Sequence, residues 1–232
     1  MHTPWRWIRT GLMLAVVAAG GVPALLGAQG DTAAARAAAQ RPSPREEWQR
    51  VTDIFEALGA RDGSRVADVG AGEGWLTTRL ARHVGPTGRV FAVDISENAV
   101  RSLRRTIEAQ GLANVETILS EEDDPRLPYG SLDGIVVLNA YHEMVVRVAM
   151  LDGFKRALKP GGLLVIVDNA PRDSTAMRQQ QVAQHQLALA YAEDDLVASG
   201  FEIVRRDASF IEHVNPAMAN RQWLLVARRA AR

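Results

Sequence analysis

The sequence predicts an α/β fold, a doubly wound and mostly parallel sheet of seven strands with helices on both faces. Three observations carry this. Seven short apolar runs alternate with turn signals and amphipathic helical stretches. Two of them, Leu132 to Leu138 and Leu163 to Val167, are almost free of polar residues, as strands covered on both faces must be. Arg65 to Asp94 contains a complete strand, glycine turn, helix, strand and acid, a βαβ unit.

Residues 1–28 read as targeting. Arg6 and Arg9 precede an apolar core from Gly11 to Gly20, and small residues follow at Gly27 and Ala28. The expectation is a secretory signal peptide cleaved after Ala28, or an uncleaved membrane anchor if the apolar stretch ending at Leu26 spans the bilayer. Residues 29–44 form an Ala-rich, then Pro-containing linker without large apolar residues, and the folded domain covers 45–232. The chain is long enough for one filled α/β domain; its zero net charge argues against a nucleic-acid partner, and the absence of cysteine excludes disulfides and Cys-based metal sites.

Trp48, Val51, Ile54, Phe55 and Leu58 follow helical spacing up to Gly59, and Asp62-Gly63 turns into the first strand, Val66 to Val69. After the glycine turn, Leu76, Leu80 and Ala81 share one helical face; Gly-Pro-Thr-Gly ends that helix and Val90 to Val93 is the second strand. Ser96 caps a helix from Glu97 to Gln110, stopped by Gly111, and Val115 to Leu119 is the third strand. Leu132 to Leu138 ends in Asn139-Ala140-Tyr141-His142-Glu143. A helix over Val145 to Leu158 and a Lys-Pro-Gly-Gly turn lead to Leu163 to Val167, with Asp168-Asn169 at its tip. Arg172 to Gln186 is polar and contains His185; it reads as a helix or lid segment. Asp194 to Ser199 completes a further helix, closed by Gly200, before the last runs, Phe201 to Arg205 and Trp223 to Ala227, which flank an irregular stretch with Pro216.

The glycine turn carries the first chemical inference. Residues without a Cβ allow a sharp turn and let a ligand touch the backbone, and the amides at the start of the following helix suit an anionic group. Asp94, at the tip of the second strand, suits a pair of ribose hydroxyls, so the unit is expected to hold an adenosine-type cofactor. A dinucleotide fingerprint needs Gly or Ala where Trp75 stands, which disfavours an NAD-dependent oxidoreductase.

Asp68-Val69-Gly70-Ala71-Gly72-Glu73-Gly74 resembles the acid-glycine motif of class I S-adenosylmethionine-dependent methyltransferases. The Leu-Lys-Pro-Gly-Gly turn and the ending Ala-Ser-Gly-Phe-Glu, strand, loop, strand are similar to the same family, over about Arg45 to Arg228. The resemblance implies a Rossmann-like sheet with a final antiparallel hairpin strand. It implies S-adenosylmethionine held by Asp68 (amino group), Gly70, Ala71, Gly72 and Gly74 (methionine part), Asp94 (ribose) and Ile95 (adenine), with Asn139 also in the cofactor set. The acid near the adenine amino group is Asp123 or Glu121, depending on the end from which the loop is counted. The N-terminal helix covers the cofactor pocket or packs on the sheet, and Trp75 flanks the cofactor or packs its helix.

Catalytic candidates lie at the carboxyl end of the fourth strand. His142 is the tentative general base for an in-line methyl transfer, with Tyr141 and Glu143 beside it; on an extended strand these neighbours point to opposite sides, so only some face the pocket. The resemblance makes a metal set of His142, Asp168 and His185 conceivable, as in some metal-dependent O-methyltransferases, but no tight ligand spacing supports it and no metal is assigned. The expected acceptor is a small molecule or envelope component, met outside the cytoplasm. The competing reading is an exported, non-catalytic binding module that keeps the fold.

Overall fold

A computed structural model describes residues 43–212 and 221–230. The signal peptide or anchor, the linker up to residue 42 and the Pro216 stretch lie outside the described residues. Ser43 accepts a bond from the Glu46 amide and the Glu46 carboxylate accepts one from the Ser43 amide. This capping box starts α1 (Pro44–Trp48), and α2 (Val51–Leu58) follows. One helix was expected here. It is broken because Arg50 takes a left-handed φ of 52°, which turns Gln49 inward to donate to the Gln222 side chain at 2.6 Å while α2 presents its apolar face to the sheet.

The strands are β1 (Arg65–Val69), β2 (Arg89–Asp94), β3 (Val115–Leu119), β4 (Leu132–Leu138), β5 (Leu158–Asn169), β6 (Phe201–Ile211) and β7 (Gln222–Arg229). They form one sheet in the order β3-β2-β1-β4-β5-β7-β6. All pairings are parallel except those of β7, which runs antiparallel to both β5 and β6, as the family resemblance implies. The intervening helices are α3 (Trp75–His83), α4 (Glu97–Ala109), α5 (Arg147–Ala157), α6 (Arg178–Val182) and α7 (Leu189–Ala198).

Alternation within the apolar strands builds two cores. Ala67, Val69, Phe91, Ile135, Val137 and Ile166 face α5 and α7. Val66, Val90, Val136, Val165, Leu224 and Val226 face α2 and α3 on the other side. The N-terminal helix α2 therefore packs on the sheet.

Several boundaries differ from expectation; α1 starts at Pro44 and α7 at Leu189. The Lys-Pro-Gly-Gly turn is part of β5, because Leu158 already pairs with Leu132 and the register then shifts before Gly134 pairs with Leu163. The segment Arg172 to Gln186 holds only the short α6, and β6 extends to Ile211. Among the described residues no helix is long and apolar enough to cross a membrane.

The strand order reverses between β1 and β4, since β1 leads on one side to β2 and β3 and on the other to β4 and β5. Loops leaving the carboxyl ends of these strands diverge there and leave a crevice, the usual ligand position in open parallel sheets.

Candidate functional site

The glycine turn is stitched to the end of β2. The amides of Gly70 and Ala71 both donate to the Val93 carbonyl at 2.9 and 3.0 Å, and that of Gly72 donates to Asp94 Oδ2 at 2.8 Å. Asp94 Oδ1 accepts from the Ser96 amide at 2.8 Å. A carboxylate offers about four acceptor sites, so each oxygen keeps one for a ligand hydroxyl. Gly70 has φ 76°, and a Cβ there would lie 2.3 Å from the Ala140 Cβ. Gly72 has φ 54°, and a Cβ there would meet nothing within 4 Å. The first glycine is required by the fold, and the second borders open space that a ligand can enter.

An open cleft of about 180 Å³ lies at the switch point. Gly70, Asp94 and Ile95 line it, as does Glu143. Ile95 presents 55% of its surface, a large apolar side chain left bare on the cleft wall. Residues not anticipated include Ser120 and Glu122 beside β3, and Met144, Val145 and Met150 on the opposite side. Glu121 lines the cleft and is paired with Arg126. Asp123 is exposed and does not line the cleft, because the Glu121 amide bonds back to the Asp124 carbonyl and closes the loop tightly.

Asp68, Ala71, Gly72, Gly74, Asn139, Tyr141 and His142 lie outside the lining. Asp68 is buried and accepts from Thr77 Oγ1 at 2.6 Å, tying the first turn of α3 to β1. Burial pushes its carboxyl up to about 6; the Thr77 bond opposes this and the Asp94 charge adds to it. A raised folded pKa means the native state binds the extra proton between about pH 4 and 6, so this group's contribution to stability falls as pH rises through that window and stays low above it. Asp68→Asn is expected to raise stability at pH 7.5, by at most about 3 kcal/mol, and to flatten the pH dependence of the melting temperature between about 4 and 6. Thermal melts of both proteins across that range check this. Asn139 sits at φ 55° with its side-chain oxygen accepting from Gln222 at 2.6 Å. Trp75 lies under the guanidinium of Arg45, 3.8 Å from its ring centre, and under that of Arg79 at 4.4 Å; it does not line the cleft.

Tyr141, His142 and Glu143 form a 3₁₀ turn, so they do not alternate as an extended strand would. Tyr141 turns into the core and donates to Asp195 at 2.9 Å; burial, then the Asp195 charge, pushes its phenol far above the ordinary range. It is a core residue here and is not placed to serve chemistry in the cleft. His142 is 4% exposed. Asp168 Oδ1 lies 2.8 Å from its Nδ1, and Asp168 Oδ2 accepts from the His142 amide at 2.9 Å. With the carboxylate as acceptor, Nδ1 is assigned the proton, and Nε2 bears a lone pair whenever the ring is neutral. Burial pulls the His142 pKa down, but the bond and charge of Asp168, helped by Glu143, outweigh it and hold the pKa above the usual imidazole value.

Nε2 is buried and has no hydrogen-bond partner among the described residues. His142, Glu143 and His185 bring one ligand-type atom each within 4.8 Å of one another. The set foreseen in the sequence had Asp168 in place of Glu143; the fold puts Asp168 behind the imidazole instead.

Residues 66–162 match the model of a family described as "Methyltransferase domain". The ubiquinone/menaquinone biosynthesis C-methyltransferase of Pseudomonas putida is 31% identical over 122 residues, 52% of this chain and 47% of that protein. The protein of the same description from Shewanella pealeana is 29% identical over 133 residues, 57% of this chain and 52% of that one. The chain thus spans about half the length of the curated relatives it matches. A crystal structure of an S-adenosylmethionine-dependent methyltransferase from Aquifex aeolicus is similar with a TM-score of 0.67 at 25% identity, covering 81% of this chain and 94% of that one.

Proposed function

We propose, on the premise that residues 66–162 are a methyltransferase domain in the class I fold with S-adenosylmethionine as its cofactor, that this chain methylates a small acceptor with an apolar body. The observation that carries the reading is Asp94. Its carboxylate stands on the cleft wall at the tip of β2, clamped by the glycine turn and by Ser96, with acceptor sites to spare.

The residues present fit the cofactor. Asp94 would take the ribose hydroxyls, the bare face of Ile95 the adenine ring, and Gly70 with the open side of Gly72 the methionine part. Glu122, or Glu121 beside it, takes the place at the adenine amino group that the sequence left between Glu121 and Asp123. Asp68 contributes by holding α3 rather than by reaching the ligand itself. When bound, the cofactor supplies a sulfonium-borne methyl group for in-line displacement.

The chain's own part is to seat the acceptor and handle its proton. Met144, Val145 and Met150 supply the apolar wall, and Val146 and Val148 are exposed on the segment that follows. The relatives named above are C-methyltransferases of quinone biosynthesis, which accords with an apolar acceptor. His142 does not itself line the cleft; its Nε2, held in one tautomer by Asp168, lies 3.6 Å from the cleft-lining Glu143 and takes the acceptor's proton where that exposed side chain gives way to the acceptor. The N-terminal sequence adds the proposal that the enzyme is exported or anchored and meets a small molecule or an envelope component there.

His142→Gln keeps a donor for Asp168 but removes the imidazole lone pair. It is expected to lower kcat about 100-fold or more while the Kd for S-adenosylmethionine changes less than about threefold. Turnover with an acceptor found by screening apolar phenols and amines, together with a binding titration, checks this. An unchanged kcat would remove His142 from the chemistry.

A further inference from the structure

We propose that His142, Glu143 and His185 hold a divalent transition-metal ion of the Zn²⁺ kind beside the cofactor cleft. Glu143 Oε1 lies 3.6 Å from His142 Nε2 and 3.6 Å from His185 Nδ1. That is too long for a hydrogen bond. Two ligand atoms at zinc distance from a tetrahedral centre stand about 3.3–3.4 Å apart, so Glu143 stands near ligand spacing from each imidazole, and the three ligand atoms all lie within 4.8 Å of one another. The two imidazoles meet edge to face, with ring centres 5.6 Å apart.

The buried Nε2 is the second, independent observation. A polar atom removed from water without a partner is costly, and native structures rarely leave one so. His142 is pinned from behind by Asp168 through Nδ1 and through its backbone amide, which fixes both ring angle and tautomer so that Nε2 points toward Glu143. This carboxylate–histidine arrangement is the support that metal-bound imidazoles use. His185 is anchored too. Its carbonyl accepts from Asn169 Nδ2 at 3.1 Å, and the Leu187 amide two residues on donates to the Asn169 carbonyl at 2.9 Å. Both imidazoles are thereby referred to the tip of β5. A general base alone would account for His142 and Asp168 and would leave the approach of His185 without a purpose.

Two imidazoles and one carboxylate select a borderline cation over Mg²⁺ or Ca²⁺, which prefer all-oxygen shells. Three protein ligands leave a position open, as in catalytic rather than structural sites. Glu143 also lines the cleft, so that position adjoins the acceptor. An acceptor hydroxyl bound there would give its proton to solvent, and His142 would then serve as ligand whenever the ion is present. This role rests on the methyltransferase reading; binding of the ion does not.

The test uses the full chain without a histidine tag, stripped by chelator and titrated with Zn²⁺ and Co²⁺ in the absence of S-adenosylmethionine. One ion per chain is expected, with a visible Co²⁺ ligand-field spectrum that millimolar Mg²⁺ does not displace. His185→Ala and Glu143→Gln replace exposed side chains and should each weaken Zn²⁺ affinity at least tenfold with unchanged thermal melts. His83→Ala, a histidine outside the cluster, should leave the affinity as it was. Zn²⁺ affinity in His185→Ala equal to the unaltered chain, or no binding by the folded chain, would overturn the proposal. Cofactor binding is measured separately, so failure of the metal site and failure of the methyltransferase reading are distinguishable.

Discussion

Replacing Asp94 with alanine is expected to weaken S-adenosylmethionine binding by about 100-fold or more while the domain stays folded. A hydrogen bond to a charged group contributes about 1.5–3 kcal/mol, and a ribose offers two hydroxyls to this one carboxylate. The loss reaches further, because Asp94 also receives the amides of Gly72 and Ser96. Without it the glycine turn keeps its two bonds to the Val93 carbonyl but loses the third, so the methionine-side wall loosens as the ribose anchor goes. The Asp94 carboxylate is at the edge of the sheet's carboxyl end rather than in the core, and its removal should move the melting temperature by only a few degrees. Titration calorimetry with a parallel melt separates the two effects. A variant that binds the cofactor as tightly as the unaltered chain would remove Asp94 from the site.

Gly70→Ala is expected to damage the fold itself. The left-handed φ of 76° costs an L-residue about 1–2 kcal/mol, and the new Cβ would sit 2.3 Å from that of Ala140. Ala140 has no side-chain torsion to rotate away, so the backbones of the β1 and β4 loops must part. Overpacking of this kind adds about 1–3 kcal/mol. A loss of about 2–5 kcal/mol corresponds, for a domain of this size, to a drop in melting temperature on the order of 10 °C. Gly72→Ala is the control: its φ of 54° carries the conformational cost, but the Cβ meets open space. It should remain folded and lose cofactor affinity instead. Equal melting temperatures for the two variants would contradict the distinct roles assigned to these glycines.

The parts of the site that were legible beforehand are local. The turn, its glycines and the acid at the end of β2 lie within one βαβ unit, where spacing alone carries the geometry. Gly70, Asp94 and Ile95 accordingly line the cleft. What the sequence could not convey depends on partners far along the chain. Tyr141 looks like a site residue until Asp195, 54 positions away, is seen to accept its hydroxyl. Asp168 reaches His142 from the end of β5 and His185 from the segment after α6, and the ligand-like spacing with Glu143 arises from a 3₁₀ turn that replaces the expected extended strand. Asp123 is turned outward by one backbone bond between Glu121 and Asp124, a loop closure with no sequence signature. The break at Arg50 is of the same sort: Gln49 is drawn inward by Gln222, at the far end of the chain.

A cofactor cleft at the switch point, anchored by Asp94, is tested most directly by calorimetric titration of the full chain with S-adenosylmethionine and its demethylated product. Micromolar binding of both at one site per chain is the predicted result. A folded protein that binds neither would contradict the methyltransferase account and leave a non-catalytic binding module in this fold as the reading that stands.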